Sequence, residues 1–88
     1  MDLEVIEQTE NKLVIEIKGE DHTLLNLLRE AAWRAGADQA AYMREHPYLT
    51  EPKLIIRGKN PKRILQKAIQ LVIDDLKEAK QEFSRILR

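Results

Sequence analysis

Cysteine is absent from this sequence of 88 residues, and that absence excludes disulfide bonds as a support for the fold. Glycine occurs three times, always alone, so the chain contains no glycine-rich phosphate-binding loop. No unbroken hydrophobic run exceeds four residues, whereas a membrane-spanning helix needs about 20. The start, Met1 to Glu4, lacks the basic and apolar regions of a secretory signal. We therefore expect a cytoplasmic protein with a single domain, residues 1–88.

The length also limits the hydrophobic core. A chain of this size buries only a little over ~60% of the surface that it exposes when unfolded, so its core is marginal. Because disulfide bonds are excluded, we expect a partner subunit to supplement that core.

The formal net charge is zero, but the charges are unevenly distributed. Residues 1–20 carry six acidic and two basic residues, whereas residues 53–67 carry six basic residues and no acidic one. The basic segment is either a solvated surface or a docking patch for an acidic surface or for phosphates. No aromatic residue lies among its cations, which argues against base stacking on single-stranded nucleic acid.

Hydrophobic periodicity predicts six elements in the order ββαββα. This order is typical of an α+β fold in which a four-stranded, mainly antiparallel sheet packs on two helices. The predicted strands are 3–8, 12–18, 38–45 and 54–57. The first helix runs from His22 to Ala35, with Asp21 as N-cap and Gly36 as the C′ residue. The second runs from Pro61 to Leu87, with Asn60 as N-cap.

Both helices have more apolar surface than one sheet can cover. The second helix is about 40 Å long, whereas a seven-residue strand spans about 23 Å. Roughly its last ten residues therefore overhang the sheet, yet its apolar stripe continues to their end. The first helix has an apolar arc of about 160°. We expect the chain to dimerise through both helices.

The sequence contains no group of residues with the pattern of a catalytic or metal site. Its two histidines, His22 and His46, are 24 residues apart, and Ser84 is a lone serine in the second helix. Asp74 and Asp75 point in different directions on that helix, so we expect them to be solvated. We predict no catalytic residue, metal or cofactor, although a small homodimeric enzyme that uses His22 or His46 stays an alternative.

The run from Gly19 to Arg29, GEDHTLLNLLR, strongly resembles the hallmark segment of the archaeal RNA polymerase subunit L family, the small α-like subunits. Supporting similarities are Ala41-Tyr42, the His46-Pro47 turn and Asn60-Pro61 before a long amphipathic helix. The similarity covers nearly the whole chain. It departs from the family pattern at Leu25, where the family usually has a small residue, and at Ala41, which is often glycine.

This resemblance implies a non-catalytic subunit within a nucleotidyltransferase complex. The family pairs with a larger α-like subunit, named D in archaea, and the heterodimer is the platform on which the two large catalytic subunits assemble. The dimer contacts that we predict are Leu24, Leu28, Ala31, Leu65, Ile69, Val72, Leu76 and Phe83, some of which pack on the chain's own sheet instead. The large-subunit contacts that the resemblance implies are Asp21, His22, Thr23, Asn26 and Arg29.

Two questions stay open at this point. The sequence does not show whether the isolated chain forms a homodimer. An alternative function is a free-standing dimeric module that binds nucleic acid through the basic segment 53–67.

Overall fold

A computed structural model describes residues 2–19, 22–43 and 51–87, with only the backbone of His22. The element order ββαββα is confirmed. The elements are β1 Asp2–Gln8, β2 Lys12–Lys18, α1 His22–Arg34, β3 Gln39–Met43, β4 Lys53–Arg57 and α2 Pro61–Ile86. The predicted cap Asp21 and the His46-Pro47 turn lie outside the described residues, as does the end of the predicted third strand.

The four strands form one antiparallel sheet in the order β1-β2-β4-β3. Side chains two positions apart lie on the same face of a strand, so the set that includes Ile15 and Ile17 of β2 and Ile56 of β4 forms an apolar face directed at the helices. Leu13, Ile15 and Ile17 of β2 pair with apolar residues on the neighbouring strands, for example Ile15 with Leu54 of β4. A register shift between Val5 and Glu7 marks a β-bulge in β1.

The core lies between this apolar face and the two helices. Its largest fully buried side chains are Leu25 of α1 with Leu54 and Ile56 of β4. Small residues of α1, among them Ala31 and Ala32, are also buried and let the helix approach its neighbours closely. The core is therefore built on β2, β3, β4 and the two helices.

The ends of the helices agree with the sequence in part. The N–H of Gly36 donates to Trp33, and the N–H of Ala37 donates to Ala32, which is the Schellman arrangement expected for a glycine at C′. At α2, Pro61 occupies the first helical position as predicted. Asn60 is the N-cap residue as predicted, but its backbone is left-handed (φ 55°) and its side chain makes no capping hydrogen bond.

Helix α2 extends well beyond the core. Its 26 residues correspond to about 39 Å. Its buried residues, Pro61, Ile64 and Ala68, all lie in the first third of the helix, and every residue from 73 to 87 is exposed. The predicted overhang is therefore confirmed.

Candidate dimerisation surface

An entirely apolar groove of about 290 Å³ lies between the sheet and the two helices. Strands β1, β2 and β4 form its floor, and the helices form its walls. The groove is lined by Leu3, Ile15, Ile17, Leu24, Leu28, Leu54, Leu65, Ile69, Val72 and Ile73.

The groove is open because the helices do not reach the β1 edge of the sheet. Helix α1 lies against β3 and β4, and α2 lies against β2 and β4. Among the described elements, β1 is in contact with β2 alone. Leu3 of β1 faces the helix side, since it pairs with Ile17, and is 63% exposed. The chain thus builds more apolar sheet surface than its own helices cover.

The exposed apolar surface continues from the groove along the overhang of α2. Leu76 is 59% exposed and Phe83 is 61% exposed, and both lie on the same side of α2 as Ile69 and Val72. Ile86 and Leu87 extend the surface to the end of the helix. A contiguous apolar surface of this extent on a small domain is typical of a protein–protein interface.

A second feature is a polar cluster on α1, outside the groove, at the border between the core side and the exposed side of the helix. One Nη atom of Arg29 donates to the Asn26 side chain at 2.6 Å and to the Glu30 carboxylate at 3.0 Å. Trp33 follows one turn later and is 47% exposed, which is unusual for tryptophan. This face of α1 therefore presents a hydrogen-bonded polar cluster with a large aromatic side chain at its edge.

Comparison with known proteins identifies the family of this chain. The family model described as the RNA polymerase Rpb3/Rpb11 dimerisation domain matches residues 12–82. The chain belongs to this family. The match includes most of the groove and all of α2 up to the last turn.

Archaeal RNA polymerase subunits are among the relatives of this Rpb3/Rpb11-family chain. DNA-directed RNA polymerase subunit Rpo11 of Methanothermobacter thermautotrophicus is 36% identical over 86 residues, covering 97% of this chain and 96% of the relative. The Methanopyrus kandleri subunit Rpo11 is 36% identical over 92 residues, covering 88% and 82%.

The crystal structure of DNA-directed RNA polymerase subunit L from Thermoplasma acidophilum is similar with a TM-score of 0.84 and 25% identity, covering 96% of this chain and 86% of that one. This structural likeness confirms the predicted α+β fold with its long C-terminal helix.

The predicted dimer residues divide into three groups on this family member. Those that line the groove are Leu24, Leu28, Leu65, Ile69 and Val72. Leu76 and Phe83 lie on the overhang. Ala31 is only 2% exposed and packs in the chain's own core, so it offers almost no surface to a partner.

Sequence reasoning missed the contribution of β1 and of Ile73 to the groove. The sequence does indicate that Leu3 lies on the buried face of a strand, because Leu3 and Val5 alternate with charged residues. The order of strands in the sheet, which leaves Leu3 uncovered, has no signal in the sequence of one chain.

The predicted large-subunit contacts are described only in part. Asp21 and the His22 side chain lie outside the described residues. Thr23 and Asn26 are exposed on α1, and Arg29 is half-buried beside Asn26. Their contact with a large subunit stays a prediction.

The basic segment does not form one continuous face. Arg57 follows Ile56, which is buried on the helix side of the sheet, so the Arg57 side chain lies on the opposite face beside Lys12. Lys62 and Lys67 instead project from α2, about 140° apart.

Within the described ranges no three His, Cys, Asp or Glu side chains form a group that could hold a metal ion. None of the described helices is both long and apolar enough to cross a membrane.

Proposed function

We propose that this chain is the small, non-catalytic α-like subunit of an archaeal DNA-directed RNA polymerase, the subunit that its relatives name Rpo11 or L. The family match and the names of its relatives support this assignment. The chain then works in transcription in the cytoplasm, as one component of a nucleotidyltransferase complex whose chemistry belongs to other subunits.

The observation that carries the proposal is the continuous apolar surface from Leu3, across the groove, to Phe83. Burial of one Leu or Phe side chain contributes about 1.5–3 kcal/mol, so several such side chains form a strong interface. The partner in this proposal is the larger α-like subunit of the same polymerase, the one named D. Its own helices would fill the groove and cover the overhang of α2, which supplies the core that this short chain lacks.

The heterodimer then serves as a platform for the large catalytic subunits. In this proposal the contacts with a large subunit come from Asp21, His22, Thr23, Asn26 and Arg29, of which Asn26 and Arg29 belong to the polar cluster on α1. Arg29 is already held by two hydrogen bonds, so little side-chain freedom would be lost on binding. The cluster and the groove lie on different sides of α1, and both partners can bind at once.

Co-expression with the larger α-like subunit from the same genome tests the proposal. We expect a 1:1 complex in size-exclusion chromatography with light scattering. Leu76→Asp should abolish the complex, because it places a charge in the buried interface. Lys77→Asp is the matched control, since Lys77 is the next residue of α2, is exposed and lies about 100° away from Leu76. Failure of the unaltered chains to co-purify would contradict the proposal.

A further inference from the structure

The face of the sheet opposite the helices contains a pair of like charges. Lys12 of β2 lies directly opposite Arg57 of β4, and Arg57 lies opposite Gln39 of β3. Like charges at opposed positions of an antiparallel pair destabilise the sheet. Lys12 is paired with the Glu7 carboxylate at 3.0 Å, but no described acidic side chain lies within 4 Å of the Arg57 guanidinium. The fold therefore retains an uncompensated cation at an unfavourable position.

These side chains line an open cleft of about 710 Å³ at one end of the sheet. Lys59 adds a third cation, which also lacks an acidic partner among the described residues. The rest of the lining supplies hydrogen-bonding groups, namely Thr9, Asn11, Gln39 and a single carboxylate, Asp38. The cleft thus combines a net positive charge with polar groups that suit carboxylate oxygens.

Backbone hydrogen bonds hold the walls of the cleft in place. The N–H of Gly58 donates to the carbonyl of Asn11 at 2.9 Å, and the N–H of Asp38 donates to the carbonyl of Arg57 at 2.8 Å. The turn between β1 and β2 is thereby fixed to the connection between β4 and α2. A surface that is rigid before binding loses less conformational entropy when a ligand binds.

We propose that this cleft binds an acidic polypeptide segment, one that carries several Asp or Glu side chains. Charge complementarity selects the class of ligand, and the lining favours a polypeptide over a nucleic acid. No aromatic side chain lines the cleft to stack a base, as sites for single-stranded nucleic acid commonly require. Lys12 and Arg57 face away from the groove, so this site goes beyond the proposed heterodimer and does not depend on it.

The test is an NMR titration of the ¹⁵N-labelled 88-residue chain with a peptide of ten glutamates at physiological salt. We expect the largest amide shifts at Asn11, Lys12, Gln39, Arg57 and Lys59. The double variant Arg57→Glu/Lys59→Glu should bind at least about tenfold more weakly, because two attractive charges become repulsive. The matched control is Lys67→Glu/Lys77→Glu, which makes the same charge change at exposed α2 positions outside the cleft. It should change the affinity by less than about twofold.

Three results would overturn the proposal. The first is no binding at a peptide concentration of about 1 mM. The second is equal weakening by both double variants, which would mean diffuse attraction to the whole chain. The third is tighter binding of a single-stranded DNA of ten nucleotides through the same amides. None of these results involves the larger α-like subunit, so the proposed heterodimer would be unaffected by them.

Discussion

The Nη1 atom of Arg34, in the last turn of α1, lies 2.8 Å from the Oδ2 atom of Asp75 in α2, although the two residues are 41 positions apart. Asp75 lies just beyond Val72, where the burial of α2 ends. The ion pair therefore links α1 to α2 at the start of the overhang. Asp75 is solvated as expected, with 56% of its side chain exposed, but its ion pair with Arg34 was not predicted. Helical periodicity gives no information on which residues of another helix lie nearby.

We expect this ion pair to contribute modestly to stability. Both side chains are more than half exposed, and exposed pairs typically contribute about 0.2–1 kcal/mol. A double-mutant cycle with Arg34→Ala and Asp75→Ala, measured by urea unfolding, should give a coupling energy in that range. The coupling should decrease in 1 M NaCl, where charges are screened beyond about 3 Å. A coupling that does not change with salt would contradict this assignment.

Leu25 should be among the most sensitive positions of the chain. Its side chain is 1% exposed and lies in the core with Leu54 and Ile56. Leu25→Ala should lower the free energy of unfolding by about 2–5 kcal/mol, because it leaves a cavity. Leu24→Ala is the matched control, since Leu24 is the preceding residue and lines the open groove. An equal loss at both positions in urea unfolding would mean that the groove is closed in the isolated chain.

Leu25 also shows how far the sequence predicts the fold. Periodicity predicts that Leu25 lies on the apolar side of α1. The other residues of that side differ greatly in burial, since Ala31 and Ala32 lie in the core and Leu24 lines the groove. The sequence predicts the elements well because each apolar pattern is local. It does not predict which apolar side chains stay uncovered, since that depends on the position of β1 at the edge of the sheet.

The positions of the basic side chains were also not predictable from the sequence. The six cations of residues 53–67 are evident in the sequence, yet the register that places Arg57 opposite Lys12 depends on strand pairing between distant segments. The left-handed backbone of Asn60 was likewise missed, because Asn followed by Pro is also the pattern of an ordinary side-chain cap.

Gly36→Ala tests the end of α1. Gly36 has a φ of +103°, in the region that residues with a Cβ atom rarely adopt, although no atom lies within 4 Å of the position that its Cβ would occupy. The cost should therefore be backbone strain alone, about 1–2 kcal/mol in the free energy of unfolding. Urea unfolding with an unchanged m-value would fit this account. A negligible loss would mean that the Schellman arrangement is not needed to end the helix.

Phe83→Asp should separate dimerisation from folding. Phe83 lies on the overhang, so the isolated chain should keep its circular dichroism spectrum and lose less than about 0.5 kcal/mol of stability. Its affinity for the larger α-like subunit should fall by at least about 2 kcal/mol, since an aromatic anchor is replaced by a buried charge. The control is Gln81→Asp, an exposed polar position on another side of α2. Complete unfolding of the Phe83 variant would show that this residue belongs to the core of the single chain.

Arg57→Glu should stabilise the chain, although it removes a charge that the proposed acidic ligand needs. The substitution replaces a pair of like charges, Lys12 opposite Arg57, with a pair of opposite charges at the same register. Cross-strand pairs of this kind contribute about 0.2–1 kcal/mol, so urea unfolding should show a gain within that range.

The control is Lys67→Glu, which makes the same charge change on α2 away from the sheet and should leave stability nearly unchanged. A gain in stability together with a loss of peptide binding would support a role of Arg57 in recognition, because proteins break local pairing rules at functional sites. A loss of stability would instead mean that Arg57 makes a stabilising contact in solution, and the argument from the like-charge pair would fail.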